Sequence, residues 1–249
     1  MHWTDDGIIL AARPHGERQL ILQLLTRQHG RHAGMAPSGR KQRGSLQPGA
    51  LLQATWSARL ADHLGTYRCD VTASPHHSII TDPAKLAALV SACALLESTL
   101  PERDPHPALY EALIQFLDQL TLPDWQQAYV RLEFSLLAEM GFGLDLSCCA
   151  ATGTQDALHY VSPKSGRAVS EEAAAPWKHK LLPLPAFLRN EPAMISAQDI
   201  SDGLTLTGFF LHHWLYANIG RSIPPARERM LHTLQTRTIP AVEPIHAHA

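Results

Sequence analysis

Leu52-Gln53-Ala54-Thr55-Trp56-Ser57-Ala58-Arg59-Leu60 alternates apolar and polar residues without a break, and Tyr67-Arg68-Cys69-Asp70-Val71-Thr72-Ala73 does the same. A period of two places one face of each segment in a core and the other in solvent, so both read as half-buried strands with Trp56, Tyr67, Cys69 and Val71 pointing inward. Upstream, Gly7 to Ala12 and Leu20 to Thr26 are shorter and more continuously apolar, and the Pro14-His15-Gly16-Glu17 turn separates them. His29-Gly30 and Pro48-Gly49 add further turns. Four to five short strands in about 80 residues, punctuated by Gly and Pro, predict a small closed barrel of the five-stranded OB type, and an SH3-like barrel would read much the same.

Past residue 80 the period becomes helical. Asp82-Pro83 supplies an N-cap and a proline at the first helical position, and Leu86, Leu89, Cys93, Leu96 and Leu100 follow at helical spacing. Leu109, Leu113, Phe116 and Leu120 repeat the pattern between Pro107 and Pro123. A third helix is predicted from Asp124 to a stop at Gly141. The expected fold class is therefore α+β: a barrel over 1–80, a helical bundle over 81–140, a loop-rich or hairpin insertion over 141–176, and a C-terminal helical section over 177–239. That section carries Gly203 to Tyr216 and Pro225 to about Leu234. Residues 240–249 lack periodicity and read as a disordered tail.

The chain has 249 residues and a formal charge of −2, which conceals an asymmetry. Residues 1–80 hold 9 Lys+Arg against 5 Asp+Glu, whereas 81–249 hold 12 against 18. Arginine outnumbers lysine 16 to 5, a ratio suited to planar recognition of phosphates and carboxylates. The four cysteines, Cys69, Cys93, Cys148 and Cys149, fit neither a disulfide framework nor a paired CxxC metal site, which points to a reducing compartment. An acidic N-terminus and no apolar run near the ~18 to 20 residues that cross a bilayer predict a cytoplasmic protein with no membrane partner.

No phosphate loop, dinucleotide fingerprint, zincin or nucleophile-elbow motif is present, so no enzyme and no cofactor are expected. His76-His77 and His212-His213 diverge on any regular backbone. Asp5-Asp6 and Glu171-Glu172 read as solvated acids. The sharpest feature is Ser38-Gly39-Arg40-Lys41-Gln42-Arg43-Gly44, three cations in four positions on a connection between barrel strands, suited to a phosphate backbone. Arg13, Arg18, Arg27 and Arg31 add to it. With only Trp56 and Tyr67 on the strands, and both facing inward, backbone contact is expected rather than base readout. Arg131 lies one residue from the apolar stripe of the third helix. It either clamps a peptide carboxylate or snorkels and pairs with Asp124, Glu133 or Glu139.

Several segments in order resemble the RecO family, bacterial recombination mediators of the RecF pathway: Asp6-Gly7-Ile8-Ile9-Leu10 with His15-Gly16-Glu17, Thr26-Arg27-Gln28-His29-Gly30-Arg31, and Leu46-Gln47-Pro48-Gly49. Arg131-Leu132-Glu133 with Leu136-Leu137 and Glu139, Gly141-Phe142-Gly143-Leu144-Asp145-Leu146, Tyr160 to Val169 and Leu182 to Leu188 continue the series. The resemblance covers most of residues 1–216. It implies a nucleoid-associated, non-catalytic protein of DNA repair and recombination that binds single- and double-stranded DNA and anneals strands. With RecR, such a protein helps load RecA on DNA coated by single-strand-binding protein (SSB). Its DNA contacts would fall on Arg27, Arg31, Arg40, Lys41 and Arg43, and Arg131 would bind the acidic, apolar SSB C-terminal tail. A protein-interaction adaptor without DNA affinity is the alternative. Many members carry a CxxC…CxxC zinc site, whose positions fall here on Cys149, Thr152, Ser170 and Ala173, so a degenerate zinc-ribbon-like insertion without metal is expected unless His159 or His179 substitutes.

Overall fold

The computed structural model describes residues 1–37, 39, 44–60, 62–189 and 194–238, without the side chains of residues 76, 77, 237 and 238. Five strands close a barrel: β1 (His2–His15), β2 (Gln19–Thr26), β3 (Gly30–Pro37), β4 (Leu51–Ser57) and β5 (Thr66–Ala73), in the order β1-β2-β3-β5-β4. All neighbouring pairs are antiparallel except β3–β5, which meet in parallel at the single pair Met35↔Thr66. That parallel closure selects the OB arrangement over the SH3-like alternative.

The alternating strands behave as their period requires, with Leu52, Ala54, Trp56 and Tyr67 buried in the barrel and Cys69 and Val71 packed against it. The segment starting at Leu52 ends as a strand at Ser57, short of Leu60. β1 is 14 residues long and begins at His2, so Asp5 and Asp6 lie within a strand. Ile8 to Leu10 of β1 and Leu24-Leu25 of β2 are consecutively apolar because both faces are buried there. Ile9, Leu22 and Leu24 fill the barrel, while Ile8, Leu10 and Leu25 join the core of the helical part. Each such side chain contributes roughly 1.5–3 kcal/mol. β3 is the strand the sequence hides: its inward positions are Gly30, His32, Gly34 and Ala36. Gly30 adopts φ +66, and a Cβ there would fall 2.0 Å from the Asp104 carbonyl oxygen, so only glycine lets the linker to the helices pass.

Helix α1 (Pro83–Thr99) starts as read from Asp82-Pro83, with the Asp82 carboxylate accepting from the N–H groups of Ala84 and Lys85. It is wedged between barrel and bundle and is buried on nearly all sides. The Cys93 thiol donates to the Ile9 carbonyl across the boundary, 3.8 Å away. Helices α2 (Pro107–Gln119) and α3 (Gln126–Leu137) complete the bundle nucleus, and α3 runs on through a π-turn to Phe142, within which Gly141 takes φ +84. Helix α4 (Ala197–Phe210) begins six residues before the expected Gly203. A reciprocal Ser196/Asp199 capping box starts it, disguised in the sequence because Asp stands where Glu or Gln is usual. It continues in a π-turn, Leu211–Tyr216, and α5 (Pro225–Thr238) closes the bundle.

Residues 141–176 contain a hairpin. They hold β6 (Leu158–Val161) and β7 (Ala168–Ser170), which with β8 (Leu182–Pro183) form a three-stranded sheet in the order β7-β6-β8. No helix among the described residues is long and apolar enough to cross a membrane. The 240–249 tail lies outside them.

Candidate nucleic-acid interface

β3 and β5 share one bridge, and below it the barrel wall is a seam. Ala36, Pro37, Ser45, Leu46, Cys69, Asp70 and Val71 line a cleft of about 220 Å³ there, and burial pushes the Cys69 thiol up to about 12. The basic connection leaves the barrel at this cleft. Its Arg40, Lys41 and Arg43 lie outside the described residues, which stop at Pro37 and, apart from Gly39, resume at Gly44.

Arg27 and Arg31 face the helical domain. The Arg27 guanidinium sits 2.5 Å from Glu111 Oε1 and 4.8 Å above the Tyr110 ring, with 47% of its side chain exposed. Arg31 is only 14% exposed, and its fork is engaged on three sides: Nε donates to the Leu100 carbonyl at 2.8 Å, and Nη1 to Gln23 Oε1 at 3.1 Å and Glu102 Oε1 at 3.2 Å. Arg13 makes a third junction pair, 2.5 Å from Glu97 Oε1. Barrel arginines thus match acids of the helical part where the two meet.

The first residues of β1, upstream of the expected strand start at Gly7, add a further group. Trp3 stacks on His29 at 4.1 Å and on Trp56 at 5.8 Å, with His32 and Tyr67 edge-on beneath. Asp5 is buried rather than solvated. Its Oδ2 accepts from the Gln28 N–H at 2.7 Å and lies 3.0 Å from His29 Nδ1. Burial holds the His32 imidazole below its ordinary pKa, and the Tyr67 hydroxyl is 3.1 Å from its Nδ1.

In the helical part, α3, α4 and α5 enclose a groove of about 760 Å³, walled by Ile195, Ile200, Leu204, Leu231 and Leu234, with Gln127 and Asp124 at one end. Arg131 stands one turn beyond Gln127 on α3, exposed, its guanidinium carbon 5.9 Å from the Phe187 ring centroid. The three acids weighed for it each have a contact of their own. Asp124 accepts from Gln127, Glu139 meets His106, and Glu133 turns into the core. There Arg227 donates Nε to Glu133 Oε1 at 2.6 Å and Nη2 to Oε2 at 2.9 Å, while the Thr207 hydroxyl donates to Oε2 at 2.5 Å. Arg227 Nη2 also reaches the Leu204 carbonyl, and its fork lies against Gly208, where a Cβ would meet Nη1 at 2.9 Å. Arg227 sits on α5 beyond the stretch of family resemblance, and nothing in its local sequence marks it as buried.

At the zinc-ribbon positions, Cys149 Sγ is buried and accepts from the Ser170 N–H at 3.3 Å and the Ser170 hydroxyl at 3.4 Å. Burial alone would raise this thiol, but hydrogen bonds from the Ser170 and Thr152 hydroxyls and from the N–H groups of Ser170 and Ala151 outweigh it and bring it to about 6. Two former ligand positions therefore serve the remaining sulfur, and the third, Ala173, has no donor atom. The set does not fit tetrahedral zinc. Cys148 turns to Arg167, 3.8 Å from its Nη2, and both His159 and His179 are exposed. Among the described residues no three His, Cys, Asp or Glu side chains gather as a metal site.

The profile described as Recombination protein O N terminal matches residues 1–74, and that described as Recombination protein O C terminal matches residues 80–222. The chain belongs to the RecO family. It is similar to the DNA repair protein RecO of Rhodospirillum rubrum, 49% identical over 245 residues that cover 94% of this chain and 97% of the relative. The RecO proteins of Rhodospirillum centenum (47% over 235 residues, 93% and 94% covered) and Ruegeria sp. (49% over 243 residues, 95% and 100% covered) are similarly close. A RecO-family chain has its role in DNA repair and recombination. The family profiles end before α5, so the Glu133–Arg227 pair joins a residue inside the matched region to one outside it.

Proposed function

We propose that this RecO-family chain binds single- and double-stranded DNA through its barrel, anneals complementary strands, and acts with RecR to help RecA displace SSB. The observation that carries this reading is the pairing at the junction. Arg13, Arg27 and Arg31 are matched by Glu97, Glu111 and Glu102, so the acidic helical part spends charge on the barrel arginines instead of opposing the basic connection at the seam. Arg40, Lys41 and Arg43 then carry the phosphate contacts, with half-exposed Arg27 as an auxiliary cation. Arg31 acts chiefly as a junction pin.

The 760 Å³ groove supports a second site, for the acidic and apolar SSB tail, with Arg131, one turn along α3 from the groove residue Gln127, receiving a carboxylate. Fluorescence anisotropy with a labelled oligonucleotide, titrated with salt, tests the first site. Each phosphate neutralised adds a slope of about −0.7 on single strands, so replacing Arg40, Lys41 and Arg43 together by Ala flattens the slope by about 2. An unchanged slope removes the connection from the site. Loss of SSB-tail peptide binding in Arg131→Ala, with DNA affinity retained, separates the two sites.

A further inference from the structure

The chain Trp177-Lys178-His179-Lys180 projects from the three-stranded sheet between a buried alanine, Ala174, and the start of β8. All six residues from Ala175 to Lys180 are exposed. The exposure does not come from a loose backbone. The Trp177 N–H donates to the Ala174 carbonyl at 2.8 Å, the Lys180 N–H to the Trp177 carbonyl at 2.8 Å, and Leu181 N–H to the Lys178 carbonyl at 3.3 Å, a 3₁₀ turn over Lys178–Lys180. In such a turn residues three apart are eclipsed, which sets Lys180 over Trp177, its Nζ 5.3 Å from the ring centroid.

Tryptophan is ordinarily well buried, and here Trp56 and Trp125 are, at 3% and 2% exposure, whereas Trp177 leaves 56% of its surface in water. Lys178 is committed: its ammonium lies 3.1 Å from Glu171 Oε1 and 5.2 Å from the centre of the Tyr160 ring. Glu171 is thereby matched. Lys180 is then the cation at the ring, and Glu172, earlier in the same segment, is an exposed acid.

We propose that this turn is a second contact for single-stranded nucleic acid, separate from the barrel, in which Trp177 stacks on a base and Lys180 takes a neighbouring phosphate. An exposed aromatic ring beside a cation is the arrangement that binds unpaired strands with little sequence preference, since every base has a π-face. A duplex keeps those faces closed by its own stacking, so the turn discriminates for single strands. The proposal rests on the reading that the chain binds DNA. It gives the chain one site on each of two elements, which bringing two strands together requires.

The test uses the full chain and a labelled oligo-dT. In wild type the oligonucleotide quenches tryptophan emission and protects it from acrylamide. In Trp177→Ala that change is lost and affinity falls about tenfold, while Trp177→Phe, also without the emission change, retains most of the affinity. Lys180→Ala lowers the salt slope by about 0.7, and duplex affinity is unchanged in all three variants. Wild-type binding with superimposable Trp177→Ala and Lys180→Ala curves overturns the turn as a site and leaves the barrel reading standing. Equal losses of affinity in Trp177→Ala and Trp177→Phe overturn stacking as its role. Absence of wild-type binding at low salt overturns the DNA reading on which the proposal rests.

Discussion

Arginine–glutamate pairs hold this molecule together in two places under opposite conditions. At the barrel–helix junction the Arg27–Glu111 pair is half-exposed on both sides, and Arg13 is mostly in water. Within the bundle the Arg227–Glu133 pair is 7% and 1% exposed, bidentate, and completed by Thr207 and the Leu204 carbonyl. The junction pairs are screened by salt and have alternatives in water. The buried pair has none, because removal of one partner strands a charge where no solvent reaches it. A charge on the surface adjusts the fit of two elements, whereas a charge in the core dictates where α5 packs against α3 and α4.

The largest expected effect follows from breaking the buried pair. Arg227→Ala leaves Glu133 unmatched and costs about 3–5 kcal/mol, read as a shift of the urea midpoint. Replacing both residues by apolar ones of similar volume recovers most of the loss. If Arg227→Ala shifts the midpoint no more than Arg27→Ala, the distinction between the two kinds of pair collapses.

That pair also marks how far the sequence could be read. The alternation through Trp56 and Tyr67 and the Asp82-Pro83 start are local signals, and the barrel and α1 followed from them. Glu133 and Arg227 are 94 residues apart, and each stands in an ordinary helical sequence. The partners of Arg27 and Arg31 were not legible either, because an arginine shows its chemistry but not its partner, and the acids these two meet lie over 70 residues away in sequence. Trp3 was missed because polar Thr4, Asp5 and Asp6 conceal a strand whose inward positions are held by Trp3, a hydrogen-bonded Asp5 and Gly7.

A third environment lies between these two, a buried sulfur satisfied by hydrogen bonds without a cation. Cys149→Ala deprives the Ser170 N–H and the Ser170 and Thr152 hydroxyls of their acceptor and costs roughly 1–3 kcal/mol. The thiol's folded pKa, about 6, lies below its ordinary value of 9.0, so the unfolded chain binds the extra proton between them. This contribution is complete above about pH 9 and is lost as pH falls toward 6. Thermal midpoints measured from pH 6 to 9 therefore rise more steeply in wild type than in Cys149→Ser, and parallel curves would assign the sulfur a packing role alone.

His32 gives a smaller effect of the same sign at lower pH. Burial lowers its pKa from 6.5, so the unfolded state takes up the proton first and stability declines as pH drops below about 6.5. His32→Asn makes that acid limb shallower, and an unchanged limb would place the titration elsewhere.

The smallest stability effect belongs to the junction, and there the comparison is sharpened most. The ion-pair share lost in Arg13→Ala and in Arg27→Ala is about 0.2–1 kcal/mol each at low salt, and it shrinks further in 0.5 M salt, where the Debye length is only a few ångströms. Arg27→Ala also removes the guanidinium from the Tyr110 ring, so its loss exceeds that of Arg13→Ala by the cation–π share, about 0.5–1 kcal/mol, which salt screens less. Urea midpoints of the two variants at low and high salt separate the contributions. A residual cost at high salt in Arg27→Ala but not in Arg13→Ala identifies the stacked arginine as the one that orients the barrel on the helices, and Tyr110→Leu should then abolish that residue of stability while leaving the Arg13 difference unchanged.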